Sequence, residues 1–417
     1  MQNTGYYDDT SRVGTKRAPA GFRKIVAAIV ILFNTQIFLG TSANPIGVDG
    51  VQEVFYAAMA FWSIFILIDH NLRYGFVHKT DIFVLLSIGV LAAYGAFMAN
   101  VQYGQPLYFG LLEERRILAL FAYFPIVMML RNRWITIFEL EKYFLASGLI
   151  CAVIVLGTTL NVLPSLRETG GAENRLRGER ISIGSSNIVL CIPLVLASRL
   201  IEPRRYDVPI LLFLAGILLF VLQSRGLILA AAISVLYVLK GPRLPIAATG
   251  AFLFLSAAML LIPGLEERLD TLTILFEQLS TEQYLTQSWR AMAYDHSLTA
   301  FASGEFWGHG ALSPLWWGGF GRVIGNFFFL ADIGIVGSLF RYGVLAIVVY
   351  AGYFAIQVHI FQATPPDRRR AFYVAGFLFL LVGLPVGAPL EHRGNLVAFF
   401  LAATHYLAYS SPARVKA

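Results

Sequence analysis

The chain has 417 residues, 57% of them hydrophobic and 14% charged, and its mean hydropathy is +0.66. Because soluble domains average about 25% charged residues, this composition excludes a soluble protein and indicates an integral membrane protein. The net charge of +7 is informative chiefly through where the basic residues fall along the chain.

Apolar runs recur along the whole sequence and predict one all-α, polytopic transmembrane bundle of about twelve spans, each of roughly 20 residues. No convincing cleavage site follows the first run, which favours a retained first span over a signal peptide. The predicted spans are 23–41, 51–69, 81–99, 113–130, 143–163, 182–199, 206–223, 226–239, 244–263, 333–358, 371–388 and 395–410. The predicted regions are a cytoplasmic tail at 1–22, spans one to nine at 23–263, an outer loop with amphipathic helices at 264–325, an interfacial segment with the last three spans at 326–410, and a second tail at 411–417.

The basic residues give the predicted bundle an orientation. With the amino terminus in the cytoplasm, twenty of the 32 lysines and arginines, including all six lysines, fall in or beside inner segments. This is the distribution that the positive-inside rule requires, and it places both termini in the cytoplasm. The basic residues left on the outer side are all arginines: Arg115, Arg116, Arg167, Arg175, Arg177, Arg180, Arg225, Arg268, Arg290, Arg322, Arg341 and Arg393.

The outer segment 167–187, "RETGGAENRLRGERISIGSSN", carries four of these arginines directly before an apolar run. Guanidinium stays charged and offers a planar fork that matches phosphate oxygens, whereas ammonium is a point charge. An outer face rich in arginine therefore favours a polyanionic ligand such as a lipid diphosphate. The alternative is ion pairing in solvated loops with nearby glutamates, which are Glu113, Glu114, Glu168, Glu173 and Glu179.

Arg225 interrupts an almost wholly apolar stretch between 208 and 239. A helix of this length would measure about 48 Å, too long for one hydrocarbon core of about 30 Å, so a turn is predicted at "SRG", 224–226. The arginine then starts below the outer headgroup level, where an unpartnered cation is costly. A phosphate or carboxylate partner is the favoured interpretation, and a snorkelling side chain is the alternative.

Arg341 lies in a second stretch, 326–362, that is too long for one span at about 55 Å of helix. Its first dozen residues are predicted to lie in the outer interface or to re-enter, with bends at Gly334 and Gly337. Arg341 then lies inside the outer leaflet, facing protein or a water-filled cavity. Asp332 precedes it by nine positions, on the opposite face of a continuous helix, which disfavours pairing of the two within one helix.

The outer segment 264–325 combines apolar residues at helical spacing with a Gly- and Trp-rich loop at 304–321. Trp316 and Trp317 are candidates for stacking on sugar rings, although tryptophan is also ordinary at a membrane interface. His296 and His309 are the imidazoles that this segment offers. The sequence has no zinc spacing, Walker loop, nucleophile elbow or carboxylate-rich metal loop, so no metal or other cofactor is predicted.

Four segments together resemble the O-antigen polymerase and ligase superfamily, whose members are polytopic GT-C-type glycosyltransferases. They are "RLRGERISIGSSNIVLCIPLVLASRL", "LLFVLQSRGLILAAAISVLYVL", "SWRAMAYDHSLTAFASGEFWGHGALSP" and "ADIGIVGSLFRYGVLAIVVY". They resemble, in order, the family's Arg-Leu-x-Gly…Asn segment, its Ser-Arg-Gly junction, its Trp…Gly-x-Gly loop and its Asp-x-Gly…Gly segment. The resemblance covers about 160 to 360, and the first 150 residues match only in plan.

The resemblance implies metal-independent glycosyl transfer on the outer face of a bacterial inner membrane. The donor would be a glycan on undecaprenyl or another polyprenyl diphosphate, and the acceptor a hydroxyl of a growing polysaccharide. Membrane lipids and a chain-length regulator are the other partners expected, and nucleic acid is not. Arg177, Arg225, Asn187 and Asp332 match the motif positions, and the burial and loop arguments add further candidates, which are Arg175, Arg180, Arg290 and Arg341.

One departure bears on the type of reaction. Ligases of this superfamily usually begin the segment after the long loop with His-Asn, and the histidine is the proposed base. Here the pair is Gly325-Asn326, which counts against ligation to lipopolysaccharide core and favours polymerisation of exopolysaccharide or O-antigen repeats. It also leaves the general base open, with His296 and His309 as candidates.

Two other functions compete with a polymerase. One is an O-antigen ligase or a protein O-glycosyltransferase. The other is a non-enzymatic transporter or flippase of the same lipid-linked sugars, which should show internal repeats and deep charges in both halves. The sequence shows no convincing repeat, and its deep charges cluster toward the outer side of the second half.

Overall fold

The computed structural model describes residues 20–35, 51–74, 78–160, 162–163, 184–222, 224–239, 289–313, 315–317, 330–364, 368–385 and 387–409. Within these ranges the chain is helical and contains no strand, which confirms the all-α class. The predicted ninth span, the arginine-rich residues 164–183 and much of the predicted outer loop lie outside the described residues. The helices are α1 (Ala20–Asn34), α2 (Val51–Tyr74), α3 (Lys79–Gly89), α4 (Gly95–Tyr103), α5 (Leu107–Glu113), α6 (Tyr123–Arg131), α7 (Ile137–Thr159), α8 (Ser185–Ile201), α9 (Asp207–Gly216), α10 (Arg225–Leu239), α11 (Trp289–Ala302), α12 (Gly334–Tyr342), α13 (Val344–Ala363), α14 (Arg368–Val382), α15 (Pro389–His392) and α16 (Gly394–Tyr409).

Three helical stretches in the described part are long and apolar enough to cross a membrane: Lys79–Tyr103, Ile137–Thr159 and Val344–Ala363. Backbone groups in a helix bond to one another, so such a stretch needs no partner for its amides in hydrocarbon. Shorter apolar helices at Ser185–Ile201, Asp207–Leu222 and Gly226–Leu239 accompany them. These lengths identify a membrane protein, while the number of twelve spans stays a prediction.

Several predicted spans are irregular helices. A π-helical turn, Val90–Tyr94, joins α3 to α4, and another, Ile217–Leu222, follows α9. The predicted span at 113–130 also changes helix type, because the chain runs as a 3₁₀-helix over Glu114–Ala122 before α6 begins. Hydrophobic runs look alike in all three helix types, so composition alone does not show these changes.

The predicted interruption near "SRG" is confirmed. The π turn ends at Leu222, Ser224 is not helical, and α10 begins at Arg225. Past this break, α10 packs against α14, where the hydroxyl of Ser234 donates to the carbonyl oxygen of Ala375 at 3.0 Å.

The predicted span at 333–358 is divided into two helices by Gly343, which has φ of 58° and ψ of −138°. A first bend occurs at Gly334, as predicted, where φ is 52°. Gly337 was predicted as a further bend, but it lies inside α12, where its lack of a side chain admits the carbonyl of Leu330. The membrane-length helix is therefore α13, which begins only after Gly343.

Polar contacts between helix ends define two opposite ends of the bundle. At one, here called the basic end, Lys24 pairs with Glu139 at 2.6 Å and Arg369 with Glu141 at 3.4 Å, which joins the beginnings of α1, α7 and α14. At the other, here called the loop end, Asn34 of α1 donates to the carbonyl of Asn395 at the beginning of α16, at 2.9 Å. Consecutive long helices thus alternate in direction.

A buried row of polar groups ties three helices together at the basic end. The hydroxyl of Tyr123 donates to the carboxylate of Asp81 at 2.7 Å and also contacts Nδ1 of His405. The other ring nitrogen of His405, Nε2, lies 3.1 Å from a guanidinium nitrogen of Arg131. The row therefore runs from α3 through α6 to α16.

Candidate functional site at the loop end

The loop at 306–313, "FWGHGALS", here called the Gly-His-Gly loop, is held in the bundle by main-chain hydrogen bonds on two sides. On the α12 side, the amides of His309 and Gly310 donate to the carbonyls of Phe340 and Arg341 at 2.7 and 2.8 Å. On the α4 side, the amide of Ala311 donates to the carbonyl of Gly95 at 2.8 Å. The loop therefore lies between α4 and α12 and is hydrogen-bonded to both.

Side chains of the π turn Val90–Tyr94, of α4 and of the turn after α4 complete this attachment. Gln102 donates to the carbonyl of Gly308 at 2.7 Å, and Tyr94 to that of Trp307 at 2.8 Å. Gln105 binds the loop twice, since its amide nitrogen donates to the carbonyl of Ala311 and its oxygen accepts from the amide of Ser313. Such paired side-chain bonds satisfy loop backbone groups that burial would otherwise leave without partners.

Gly310 explains why the loop can approach so closely. Its φ is +79°, a region that L-residues rarely adopt. An added methyl group would lie 2.6 Å from the carbonyl oxygen of Gly95 and closer still to the amide nitrogen of Ala99. The motif glycine is therefore required both by its backbone angle and by the adjacent helix.

Arg341, whose carbonyl accepts from the amide of Gly310, is buried among three glutamates. This group is here called the carboxylate cluster. Its guanidinium nitrogens lie 3.2 Å from Glu114, 3.5 Å from Glu113 and 3.7 Å from Glu391. The side chains of Glu114 and Glu391 are 1% and 2% exposed, whereas that of Glu113 is 24% exposed. The prediction that Arg341 is buried against protein is confirmed.

The carboxylate cluster has more acids than bases. Glu391 also accepts hydrogen bonds from the hydroxyls of Ser338 and Tyr350. Burial raises the pKa of Glu391, an effect that the charge of Arg341 opposes. Since two buried anions and a partly exposed third around one cation are costly, we expect the cluster to hold at least one proton near neutral pH.

His309 lies on the other side of the same turn and is oriented by both ring nitrogens. Nε2 lies 2.5 Å from a carboxylate oxygen of Glu305, and Nδ1 contacts the hydroxyl of Tyr103. The ring stacks on Phe340, with centroids 4.1 Å apart. Burial lowers the pKa of His309 more than Glu305 raises it, and His296 also lowers it.

The other predicted site residues are only partly described. Asn187 is buried at the beginning of α8, where it donates to the carbonyl of Thr35 at the loop end. Trp316 is half-buried, Trp317 is 92% exposed, and His296 is exposed on α11. Arg225, Arg290 and Asp332 lie in α10, α11 and the turn before α12, but their side chains are outside the description, as are Arg175, Arg177 and Arg180 entirely.

The structure therefore brings together His309 and Arg341 from the predicted set, and adds three glutamates that were not predicted as site residues. The alternative of pairing in solvated loops does not describe Glu114, which is buried and pairs with Arg341. "EERR" at 113–116 and "LEHR" at 390–393 both place charges beside predicted spans. Ionisable residues at membrane depth are a signal of function, and this signal could have identified the cluster.

No protein-family model matches the chain, and neither does any curated protein. Among the described residues, no group of three or more histidines, cysteines, aspartates and glutamates has an arrangement that could hold a metal ion. The described site presents carboxylates, the imidazole of His309 and the guanidinium of Arg341.

Proposed function

We propose that the protein is a polymerase of exopolysaccharide or O-antigen repeat units, which transfers a glycan from polyprenyl diphosphate to an acceptor sugar hydroxyl. The observation that carries the proposal is the partly exposed Glu113 at the edge of a buried ion cluster. This edge is at the same end of the bundle as residues 163 and 184, which flank the arginine-rich segment. The motif resemblance supplies the class of donor.

In the proposed reaction the acceptor oxygen bonds to the anomeric carbon of the donor as the bond from that carbon to the diphosphate oxygen breaks. The acceptor proton passes to a carboxylate, for which Glu113 is our assignment because it is the least buried of the cluster. The leaving diphosphate carries away the electron pair, and Arg177 and Arg225 offset its charge. Arg341, already paired with three glutamates, acts as a positioning residue.

The transition state of glycosyl transfer has oxocarbenium character, and flanking carboxylates stabilise such a state in glycosidases. A well-stabilised leaving group lets bond breaking run ahead of attack, so base assistance contributes less than the 10²–10⁴-fold typical of positioned bases. The arginines should therefore matter more than Glu113, and Glu113 more than either His296 or His309.

Gly325 favours polymerisation over ligation, since it stands where ligases carry the proposed basic histidine. The proposal places the site on the outer face of a bacterial inner membrane, with both termini in the cytoplasm. The basic end, which holds Lys24 and Arg369, then faces inward, in agreement with the positive-inside rule.

The test is polymer length on a gel, from purified protein and lipid-linked repeat units with a chelator present. We expect Arg177→Lys and Arg225→Lys to lose most polymer, because ammonium does not replace a bidentate fork. Arg115→Lys is the matched control, since Arg115 is an outer arginine whose exposed partner is Glu53 at 2.9 Å.

Glu113→Gln should slow polymerisation by about tenfold to a hundredfold, below the full range of a general base. Glu53→Gln is its control, since Glu53 is an exposed glutamate at the same end. Full activity in Arg177→Lys and Arg225→Lys would contradict the proposal. A wild-type protein that makes no polymer but moves repeat units across a vesicle bilayer would be a transporter instead.

A further inference from the structure

An apolar groove of about 710 Å³ opens on the surface of the bundle beside the Gly-His-Gly loop. Its volume is in the range of sites that bind organic ligands. Its walls come from α3, α4, α5 and the beginning of α13: Leu85, Leu86, Gly89, Val90, Ala93, Tyr94, Ala96, Phe97, Leu107, Leu111 and Leu345. Apart from the hydroxyl of Tyr94, these side chains offer hydrocarbon alone.

The π turn Val90–Tyr94 forms the middle of the groove. Such turns widen a helix locally and occur often at functional sites. Gly89 precedes the turn, and a side-chain carbon added there would have no protein atom within 4 Å. The groove is therefore open at Gly89, and a side chain at this position would begin in open space.

The groove leads to the candidate site. Tyr94 lines it and donates its hydroxyl to the carbonyl of Trp307, at the start of the Gly-His-Gly loop. Leu345, another wall residue, follows the break at Gly343 by two positions and so lies close to Arg341 in the chain. A ligand with its chain in the groove would place its head beside the loop and the carboxylate cluster.

We propose that this groove binds the isoprenoid chain of the lipid-linked donor, an inference that rests on the proposed function. The groove lies on Lys79–Tyr103, one of the membrane-length helices, so in the predicted topology its opening faces lipid. A bulk phospholipid would need no connection to the loop. The continuity between the groove, Tyr94 and Trp307 favours instead a chain whose head group is the reacting part.

The test uses purified protein in phospholipid nanodiscs with a polyprenyl phosphate that carries a diazirine in its chain. After irradiation, mass spectrometry should locate the label in peptides that contain residues 85–111. Gly89→Phe should reduce this labelling about tenfold, because the added ring displaces methylene groups from apolar contact. Gly89→Leu, which is smaller, should give an intermediate loss.

Gly216→Phe is the matched control. Like Gly89, Gly216 is the last residue before a π turn, and a side-chain carbon added there also meets no protein atom. It should retain wild-type labelling. An unfolding temperature near that of the wild-type protein in all three variants would show that they are folded.

Unchanged labelling in folded Gly89→Phe would overturn the proposal, as would equal labelling of the groove by a diazirine phosphatidylglycerol probe. The outcomes for the groove and for the polymerase are separable. Labelling of the groove in a wild-type protein that makes no polymer would support the groove as a lipid-binding site and contradict the proposed reaction. Label found only outside residues 85–111, in a protein that makes polymer, would remove the groove proposal and retain the proposed reaction.

Discussion

Substitution of Gly310 by alanine tests whether the Gly-His-Gly loop is fixed by close backbone contact. Two costs add up. A left-handed backbone angle costs an L-residue about 1–2 kcal/mol, and the methyl group, 2.6 Å from the Gly95 carbonyl oxygen, adds about 1–3 kcal/mol of overpacking. Gly304→Ala is the matched control, because φ is +104° there but no atom lies within 4 Å of the added carbon. Gly304→Ala should therefore cost only the backbone part.

The assay is amide hydrogen exchange of the peptide that contains 306–313, in detergent, followed by mass spectrometry. The amides of His309, Gly310 and Ala311 are bonded to carbonyls outside the loop, so they report its opening. A difference of about 1–3 kcal/mol should make them exchange roughly 5- to 150-fold faster in Gly310→Ala than in Gly304→Ala. Equal exchange in the two variants would refute the close contact.

Three further predictions concern charge and topology. Arg341→Met should destabilise the protein by roughly 3–5 kcal/mol at neutral pH, as measured by thermal unfolding, because it leaves buried carboxylates without their cation. The control Arg115→Met should cost no more than about 1 kcal/mol. Equal losses of stability in the two variants would show that the burial of Arg341 does not determine the effect. Because the folded-state pKa of His309 is lowered, the loop is fully stable above the ordinary value of about 6.5 and loses stability as the pH falls through the folded value. Amide hydrogen exchange of the loop, corrected for intrinsic rates, should therefore accelerate on acidification. The same acceleration in His309→Gln would show that another group causes it. Ser303→Cys, an exposed position on the outer side of the predicted topology, should react with an impermeant maleimide in cells whose outer membrane is permeabilised; protection there with labelling of Asp367→Cys would invert the orientation.

The sequence predicts helices better than it predicts their irregularities. Hydrophobic runs locate α8, α10 and α16 to within a few residues at each end, because a long apolar run has few alternatives. The π turn at Val90–Tyr94 and the 3₁₀-helix at Glu114–Ala122 are not predicted, since both depend on which neighbours the helix meets. For the same reason, Gly343 rather than Gly337 divides the segment after the loop.

The sequence likewise predicts only part of the candidate site. The cost of a charge in hydrocarbon predicts that Arg341 is buried against protein. It does not predict that the partners are Glu114, 227 positions earlier, and Glu391, because this choice depends on the packing of α12 against distant elements. His309 was predicted as an available imidazole, but its contacts with Tyr103 and Phe340 follow from the path of the loop.

The contacts in the row of polar groups at the basic end restrict where its protons lie. Arginine has no acceptor, so Nε2 of His405 must accept from Arg131, and the proton of the ring resides on Nδ1. Tyr123 donates its own proton to Asp81, and its oxygen accepts the proton of His405. If α3, α6 or α16 slid past its neighbours, a buried donor would face a donor. We therefore expect the basic end to act as a fixed base, so that the movements that admit a large lipid-linked sugar occur at the loop end.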